Sequence, residues 1–176
     1  MNKSSSSRRL TLSAMLLAVG MLLPFLTGQI QHIGNMLCPM HLPVFICGML
    51  CGPLWGLAVG AVLPPLRSAV FGMPVLMPAA AAMAFELAAY GFISGFLRKR
   101  LPKTLPMLFV SLIAAMLLGR IVWGCVSVPI YGLSSKAFSW QIFFANGFVN
   151  AIPGMILQLI AVPAVVTALE RAHLAE

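Results

Sequence analysis

Residues 75–103 read VLMPAAAAMAFELAAYGFISGFLRKRLPK. The stretch opens with an apolar run of the length that spans a bilayer, about 20 residues. One acid, Glu86, lies near the middle of that run, and the basic triplet Arg98–Arg100 ends it. Basic residues directly after an apolar run are typical of the cytoplasmic end of a transmembrane helix. The stretch therefore predicts a spanning helix, from about Val75 to Leu97, that ends in the cytoplasm.

The composition of the whole chain extends this prediction to an integral membrane protein. Of its 176 residues, 61% are apolar and 8% are charged, and the mean hydropathy is +1.01. An average soluble protein is roughly 25% charged. Six spans of about 20 residues would leave only short loops. We therefore expect a single transmembrane domain over residues 1–176, with no soluble catalytic or nucleotide-binding domain, so that any ATP-driven activity needs another chain.

The positive charge of the chain lies beside its apolar runs. The net charge is +8, and eight of the eleven basic residues form three groups, each next to an apolar run. This placement follows the positive-inside rule and argues against a nucleic-acid partner. Six spans bring all three groups to the cytoplasmic side together with both termini, whereas five or seven spans would not. The three groups are Lys3, Arg8 and Arg9; Arg98, Lys99, Arg100 and Lys103; and Arg171.

The predicted fold is all-α, a polytopic membrane protein with six transmembrane helices and with the N-terminus and C-terminus in the cytoplasm. We expect residues 1–8, which include a run of serines, to be a disordered leader. The six helices are expected at about Leu10–Leu26, Pro43–Leu50, Leu54–Val70, Val75–Leu97, Pro106–Tyr131 and Trp140–Leu169.

Charged residues inside two of these helices are the first candidates for a site. Charges in spanning segments are costly and usually face a cavity or a partner. Glu86 and Tyr90 are four residues apart and share a face of helix four, and Arg120 and Trp123 share a face of helix five. Glu86 and Arg120 could form a buried ion pair that orients the two helices, or they could contact a polar substrate. The sequence leaves both readings open.

Helix six adds a stripe of polar residues. Asn146, Asn150, Gly154 and Gln158 follow one another at intervals of four. Amide side chains are unlikely to face lipid, so they either bond neighbouring helices or line a cavity. Three successive helices with polar faces and aromatic residues suit a pocket for a small, partly polar organic ligand. The predicted substrate-binding residues are Asn35, His41, Arg67, Glu86, Tyr90, Arg120, Trp123, Asn146 and Asn150.

Two alternatives apply to members of this set. Arg67, near the outer end of helix three, could instead extend its side chain to the outer interface. His32 and His41, with Cys38 between them, lack the i, i+4 spacing of a helical metal site. The chain also has no aspartate and no nucleophile-elbow motif. We therefore predict no catalytic residues, no metal site and no cofactor.

Several short motifs, taken in order, resemble one protein family. Ala14 and Ala18 place two small residues on one face of helix one, where another helix can approach closely. Residues 42–48 read LPVFICG and lead into Gly52-Pro53, residues 84–91 read AFELAAYG, and residues 119–124 read GRIVWG. With the six-helix layout, they resemble the substrate-binding membrane subunits, or S components, of bacterial energy-coupling factor (ECF) vitamin transporters. The resemblance covers about the whole chain.

The resemblance implies a non-enzymatic, multi-pass subunit of the bacterial plasma membrane. S components capture a vitamin or related micronutrient from outside with helices four to six and the outer loops. They then associate with a scaffold transmembrane protein and two ATPases, and the substrate is released inward. Ala14 and Ala18 match the contact that the family makes with the scaffold.

The ligand is expected to carry a carboxylate. Arg67, Arg120 and Lys136 place cations on the outer side against a single acid, Glu86, and an arginine fork binds a carboxylate through two hydrogen bonds. Pantothenate fits this expectation best, and lipoate, biotin or an oxidised pyridine vitamin would fit as well. The alternative function is a stand-alone small secondary transporter or channel, which would need ion-coupling groups.

Overall fold

The structure, a computed structural model, describes residues 3–27, 39–133 and 151–172. Within these ranges the chain is helical, without strands, which confirms the all-α prediction for them. A 3₁₀ turn at Leu23–Thr27 continues the first helix, and a π turn at Leu76–Ala80 leads into the fourth. The α-helices are α1 Lys3–Leu22, α2 His41–Cys51, α3 Pro53–Phe71, α4 Ala81–Arg100, α5 Leu105–Leu133 and α6 Ile152–Arg171.

Five of these helices are long and apolar enough to cross a membrane: α1, α3, α4, α5 and α6. They make the chain a multi-pass membrane protein. Helix α2 has 11 residues and is about 16 Å long, which is about half of a hydrocarbon core. The predicted sixth helix was expected from Trp140, but its described part begins at Ile152. Six full spans, and the cytoplasmic position of the termini, therefore stay predictions.

Residues 1–8 were predicted to be a disordered leader, and helical structure is described there from Lys3 onward. Helix α1 begins at Lys3 and includes the serine run. Within it, the Thr11 hydroxyl donates a hydrogen bond to the carbonyl of Ser7 at 3.0 Å. Once the following apolar segment is helical, each residue added upstream gains a backbone bond without a new nucleation step. No proline or glycine between Lys3 and Val19 interrupts that extension.

Helices α2, α3 and α4 pack backbone against backbone along a glycine seam. Gly52, with φ at 105°, turns the chain between α2 and α3 and adopts a conformation that side chains disfavour. A β-carbon added at Gly56 would lie within 3 Å of backbone atoms of Gly91, and one added at Gly60 would meet the backbone at Leu87. These glycines thus serve contacts between helices inside the chain. The seam consists of Gly48, Gly56, Gly60, Gly91 and Gly95.

An ion pair joins α4 to α6 at the end of the bundle where both helices finish. The Arg98 guanidinium donates through one terminal nitrogen to both carboxylate oxygens of Glu170, at 2.9 and 2.8 Å. It also donates to the carbonyl of Thr104 at 3.4 Å. The Arg98 side chain is 4% exposed and that of Glu170 is 26% exposed. Arg98, predicted only as part of a cytoplasmic charge cluster, therefore also connects two helices.

Helix α1 packs with one face only. Ser13 and Leu16 are buried against the bundle, and the Cys47 thiol donates a buried hydrogen bond to the Ser13 hydroxyl at 3.4 Å. The opposite face, which carries Ala14 and Ala18, is exposed. Within the described residues, this leaves an accessible strip of small side chains along α1.

Candidate functional site

Three of the predicted site residues meet at one carboxylate oxygen. The Arg120 guanidinium on α5 lies 2.8 Å from Oε1 of Glu86 on α4. The Tyr90 hydroxyl, one turn along α4, donates to the same oxygen at 2.7 Å. The side chains of Glu86 and Arg120 are 3% and 8% exposed. Glu86, Tyr90 and Arg120 are called the buried triad below.

Helix α2 and a glycine of α5 position the tyrosine of the triad. The Tyr90 ring lies 4.8 Å from the ring of Phe45 and 5.5 Å from that of His41, centroid to centroid. On its other side, a β-carbon at Gly119 would overlap the Tyr90 ring. Gly119 precedes Arg120 in the chain, so the same glycine that admits the ring also brings the guanidinium close to α4. The predicted site residue His41 thus lies beside the triad, and Phe45 lies there as well.

Phe45 was not among the predicted residues, although the sequence held a signal for it. It follows His41 by four residues and therefore lies on the same face of a helix. The run LPVFICG was assigned to family resemblance rather than to the site. A buried aromatic residue one turn from a predicted site residue could have been added on spacing alone.

One face of α5 turns into the bundle beyond the triad. Trp123 is 9% exposed and Ser127 is fully buried, whereas Ile121 and Val128, on the other side of the helix, are more than half exposed. The buried hydroxyl of Ser127 has no hydrogen-bond partner among the described residues. Because Arg120, Trp123 and Ser127 are three and four residues apart, they form one buried stripe that is polar at both ends. Sequence analysis did not single out Ser127.

The charges of the triad cancel. Glu86 and Arg120 form the ion pair that the sequence allowed, so the pair presents a strong local dipole and no net charge. The Arg120 guanidinium carries its donors in a rigid fork, and Glu86 holds one of its terminal nitrogens. Such an arrangement can hold a polar group of a ligand in a set orientation while the rings of Phe45 and Tyr90 contact its apolar part.

Arg67 lies apart from the triad. Its side chain, 3% exposed, packs against the contacting rings of Phe25 and Phe71, with 5.5 and 5.6 Å from the guanidinium carbon to the centroids. One terminal nitrogen donates to the carbonyl of Met73 at 3.5 Å. The side chain is thus enclosed by the protein and does not extend to the surface, as the snorkelling alternative would require.

The glycine seam shows how far Arg67 is from the triad. Gly60 faces the backbone of Leu87, next to Glu86, and Arg67 follows Gly60 by seven residues. Seven helical residues correspond to about 10 Å along the axis. The structure therefore brings His41, Tyr90, Glu86 and Arg120 together and leaves Arg67 about two turns farther along the bundle.

The remaining predicted residues divide between described and undescribed segments. On α6, Gly154 and Gln158 are buried, so the described half of the polar stripe faces the bundle. Ala14 and Ala18 lie on the exposed face of α1, where a partner helix can reach them. Three predicted substrate-binding residues, and the cation Lys136, lie outside the described residues. These three are Asn35, Asn146 and Asn150.

Comparison with known proteins places the chain in a family. The family model for the substrate-specific component of ECF transporters matches residues 8–166, which is most of the chain. The chain therefore belongs to that family, whose members are transporter subunits rather than enzymes. The resemblance drawn from the sequence motifs is confirmed. Neither the curated proteins nor the solved structures gave a significant match.

Proposed function

We propose that this substrate-specific component captures a carboxylate-bearing vitamin or vitamin precursor, with pantothenate as the leading candidate. Capture takes place on the outer side of the bacterial plasma membrane. A scaffold transmembrane protein and two ATPases then associate with the loaded subunit, and the ligand is released inward. The buried triad, set among aromatic rings, is the observation that carries this proposal.

The triad supports a ligand site because the free energy spent on burying its charged groups is hard to explain without a function. Ionisable groups within a membrane-spanning bundle are expensive to bury and are typically functional. Glu86, Tyr90 and Arg120 could orient helices alone, but the same place also gathers the rings of His41 and Phe45. An apolar surface with a few convergent polar groups is what small-molecule sites have in common.

The stripe on α5 supports an elongated ligand. Ser127 follows Arg120 by seven residues, or about 10 Å along the helix. Trp123 lies between them and is buried. A ligand with polar groups on either side of an apolar middle, as in pantothenate, matches that order of side chains. Asn35, Asn146 and Asn150 are proposed to complete its hydrogen bonds.

The exposed face of α1 supports the proposed association with the scaffold protein. Ala14 and Ala18 leave room for close helix packing, and larger exposed residues flank them, with Met15 61% and Leu22 62% exposed. We assign this face to the scaffold protein.

Uptake and binding, measured separately, test this assignment. The variant is Ala14→Leu/Ala18→Leu, and the matched control is Ala164→Leu/Ala168→Leu, which changes two exposed alanines of α6 at the same spacing. In vesicles that contain the scaffold and ATPases, we expect the α1 variant to lose ATP-dependent uptake of pantothenate. Its binding of pantothenate in detergent should stay within about two-fold of wild type, because the triad faces away from this surface.

Two results would contradict the proposal. Normal uptake by the α1 variant would show that the scaffold protein does not bind this face. Equal uptake by wild type without the ATPases would favour the stand-alone transporter. A thermal-shift screen with B vitamins, their precursors, lipoate and biotin identifies the ligand if pantothenate does not bind.

A further inference from the structure

Arg67 is a buried cation for which the described residues supply no carboxylate. The whole chain contains only three acids, Glu86, Glu170 and Glu176. Glu86 is paired with Arg120, and Glu170 with Arg98. Glu176 lies outside the described residues, six positions after Glu170 in the sequence.

The position of these acids separates them further from Arg67. Glu170 is bonded to Arg98, near the end of α4, whereas Arg67 contacts Met73, which precedes α4. From Ala81 to Arg98 the helix rises about 26 Å. Arg67 and Glu170 therefore lie at opposite ends of the bundle.

The contacts that Arg67 does make leave its hydrogen-bonding capacity largely unused. The rings of Phe25 and Phe71 stabilise the charge through their π faces and accept none of its N–H bonds. The carbonyl of Met73, at 3.5 Å, is the single acceptor among the described residues, and the buried Nε has none. A guanidinium has five donors in a planar fork that matches carboxylate and phosphate oxygens.

We propose that Arg67 binds an oxyanion from outside the chain, a carboxylate or phosphate group, in the plane of its guanidinium. Arg120 is not this anchor, because Glu86 already neutralises it. The predicted topology places Arg67 at the outer end of α3, where an incoming ligand arrives. The anion is the acidic group of the transported ligand, an assignment that rests on the proposed function, or the headgroup of a membrane lipid.

Pairs of similar ligands that differ in charge test whether the anion is the acidic group of the transported ligand. Each pair joins an acid to its uncharged analogue: pantothenate and panthenol, biotin and biotinamide, lipoate and lipoamide, nicotinate and nicotinamide. Binding is measured by calorimetry on the purified protein for wild type, Arg67→Gln and Arg100→Gln. Arg100 is the matched control because its guanidinium also lies over a phenylalanine ring, Phe96 at 5.1 Å, but is exposed.

For the pair that binds, we expect wild type and Arg100→Gln to prefer the acid by about 10- to 100-fold, the strength of a charge-assisted contact. Arg67→Gln should reduce that preference to less than about three-fold, while its affinity for the uncharged analogue stays near that of wild type. Arg67→Lys, which keeps the charge without the fork, should fall between the two and serves as the folded alternative if the glutamine variant does not fold.

Melting in lipid nanodiscs tests the second source. Phosphatidylglycerol in place of part of the phosphatidylcholine should raise the melting temperature of wild type and of Arg100→Gln, but not that of Arg67→Gln, if a lipid phosphate is the anion. Either pattern, the acid preference or the lipid effect, supports an anion site at Arg67.

The proposal is overturned if Arg67→Gln keeps the full acid preference and responds to phosphatidylglycerol as wild type does, or if wild type shows neither effect. If the acid preference and the phosphatidylglycerol response both survive in Arg67→Gln while binding and ATP-dependent uptake are intact, only the role of Arg67 fails. If uptake instead proved independent of the ATPases, the proposed function would be refuted. The lipid measurement would then still test the anion site at Arg67.

Discussion

Removing the Glu86 carboxylate should reveal whether the buried triad holds the helices together, binds the ligand, or does both. Glu86→Gln keeps the shape of the side chain but leaves Arg120 charged and buried. At the observed 2.8 Å, the two charges attract by about 6 kcal/mol with an effective dielectric constant of 20. Desolvation offsets part of this attraction. We therefore expect Glu86→Gln to lower the free energy of unfolding by about 3–5 kcal/mol.

The partner variant and the double variant complete the cycle. Arg120→Gln should cost a similar amount, because it leaves Glu86 uncompensated. Glu86→Gln/Arg120→Gln has no unpaired charge and should be more stable than the sum of the single changes by about 2–3 kcal/mol. Tyr90→Phe is the reference, since it removes one hydrogen bond to a charged group, about 1.5–3 kcal/mol, and keeps the ring contacts.

Unfolding in mixed micelles and ligand binding on the same samples separate the two roles. If the triad contacts the ligand, the double variant should lose affinity by at least about ten-fold although its stability is largely restored. If the double variant bound the ligand with wild-type affinity, Glu86 and Arg120 would have a structural role only. Additive losses of stability would refute the inference that Glu86 and Arg120 form one buried pair.

Two further predictions concern packing away from the site, and both are measured as melting temperatures in detergent. Gly91→Ala should destabilise the protein by about 2–3 kcal/mol, because its added methyl meets a backbone carbonyl of α3 that cannot rotate away. Gly132→Ala, which meets none of the described residues within 4 Å, should be neutral or stabilising. Equal effects of the two changes would argue against the seam. Arg98→Ala should lower the free energy of unfolding by about 1–3 kcal/mol, because it leaves the partly buried Glu170 unpaired. Lys99→Ala, which changes the exposed neighbour, should stay within about 0.5 kcal/mol of wild type. A similar loss from both cations would show that general charge, and not the ion pair, stabilises that end.

The sequence predicted local features of the fold well because hydropathy and helical spacing are local signals. The fifth helix was expected from Pro106 to Tyr131 and runs from Leu105 to Leu133. The pairing of Glu86 with Tyr90 followed from their spacing of four. The short second helix was also recognised, because Gly52-Pro53 ends it, although it begins at His41 and not at the predicted Pro43.

Contacts between helices could not be predicted in the same way. Periodicity gives the face of each helix, but not its height or rotation relative to its neighbour. Arg98 and Glu170 are 72 positions apart, and nothing in either segment identifies the other as its partner. The ion pair of Glu86 with Arg120 stayed one of two readings for the same reason, and Gly119 became informative only once the Tyr90 ring was seen against it.

The glycine seam divides the residues of the protein by how freely they can change. Between α3 and α4 the contact is backbone to backbone, as at Gly56 and Gly91, so no side-chain exchange can alter it without moving whole helices. Between α4 and α5 the contact at Gly119 is with a side chain, the Tyr90 ring, which other residues could replace. A chain built in this way can acquire a different ligand through changes on α5 and α6 while the glycine seam and the proposed partner face on α1 stay constant. Redesign of specificity in this protein should therefore begin with the stripe from Arg120 to Ser127 and leave the seam intact.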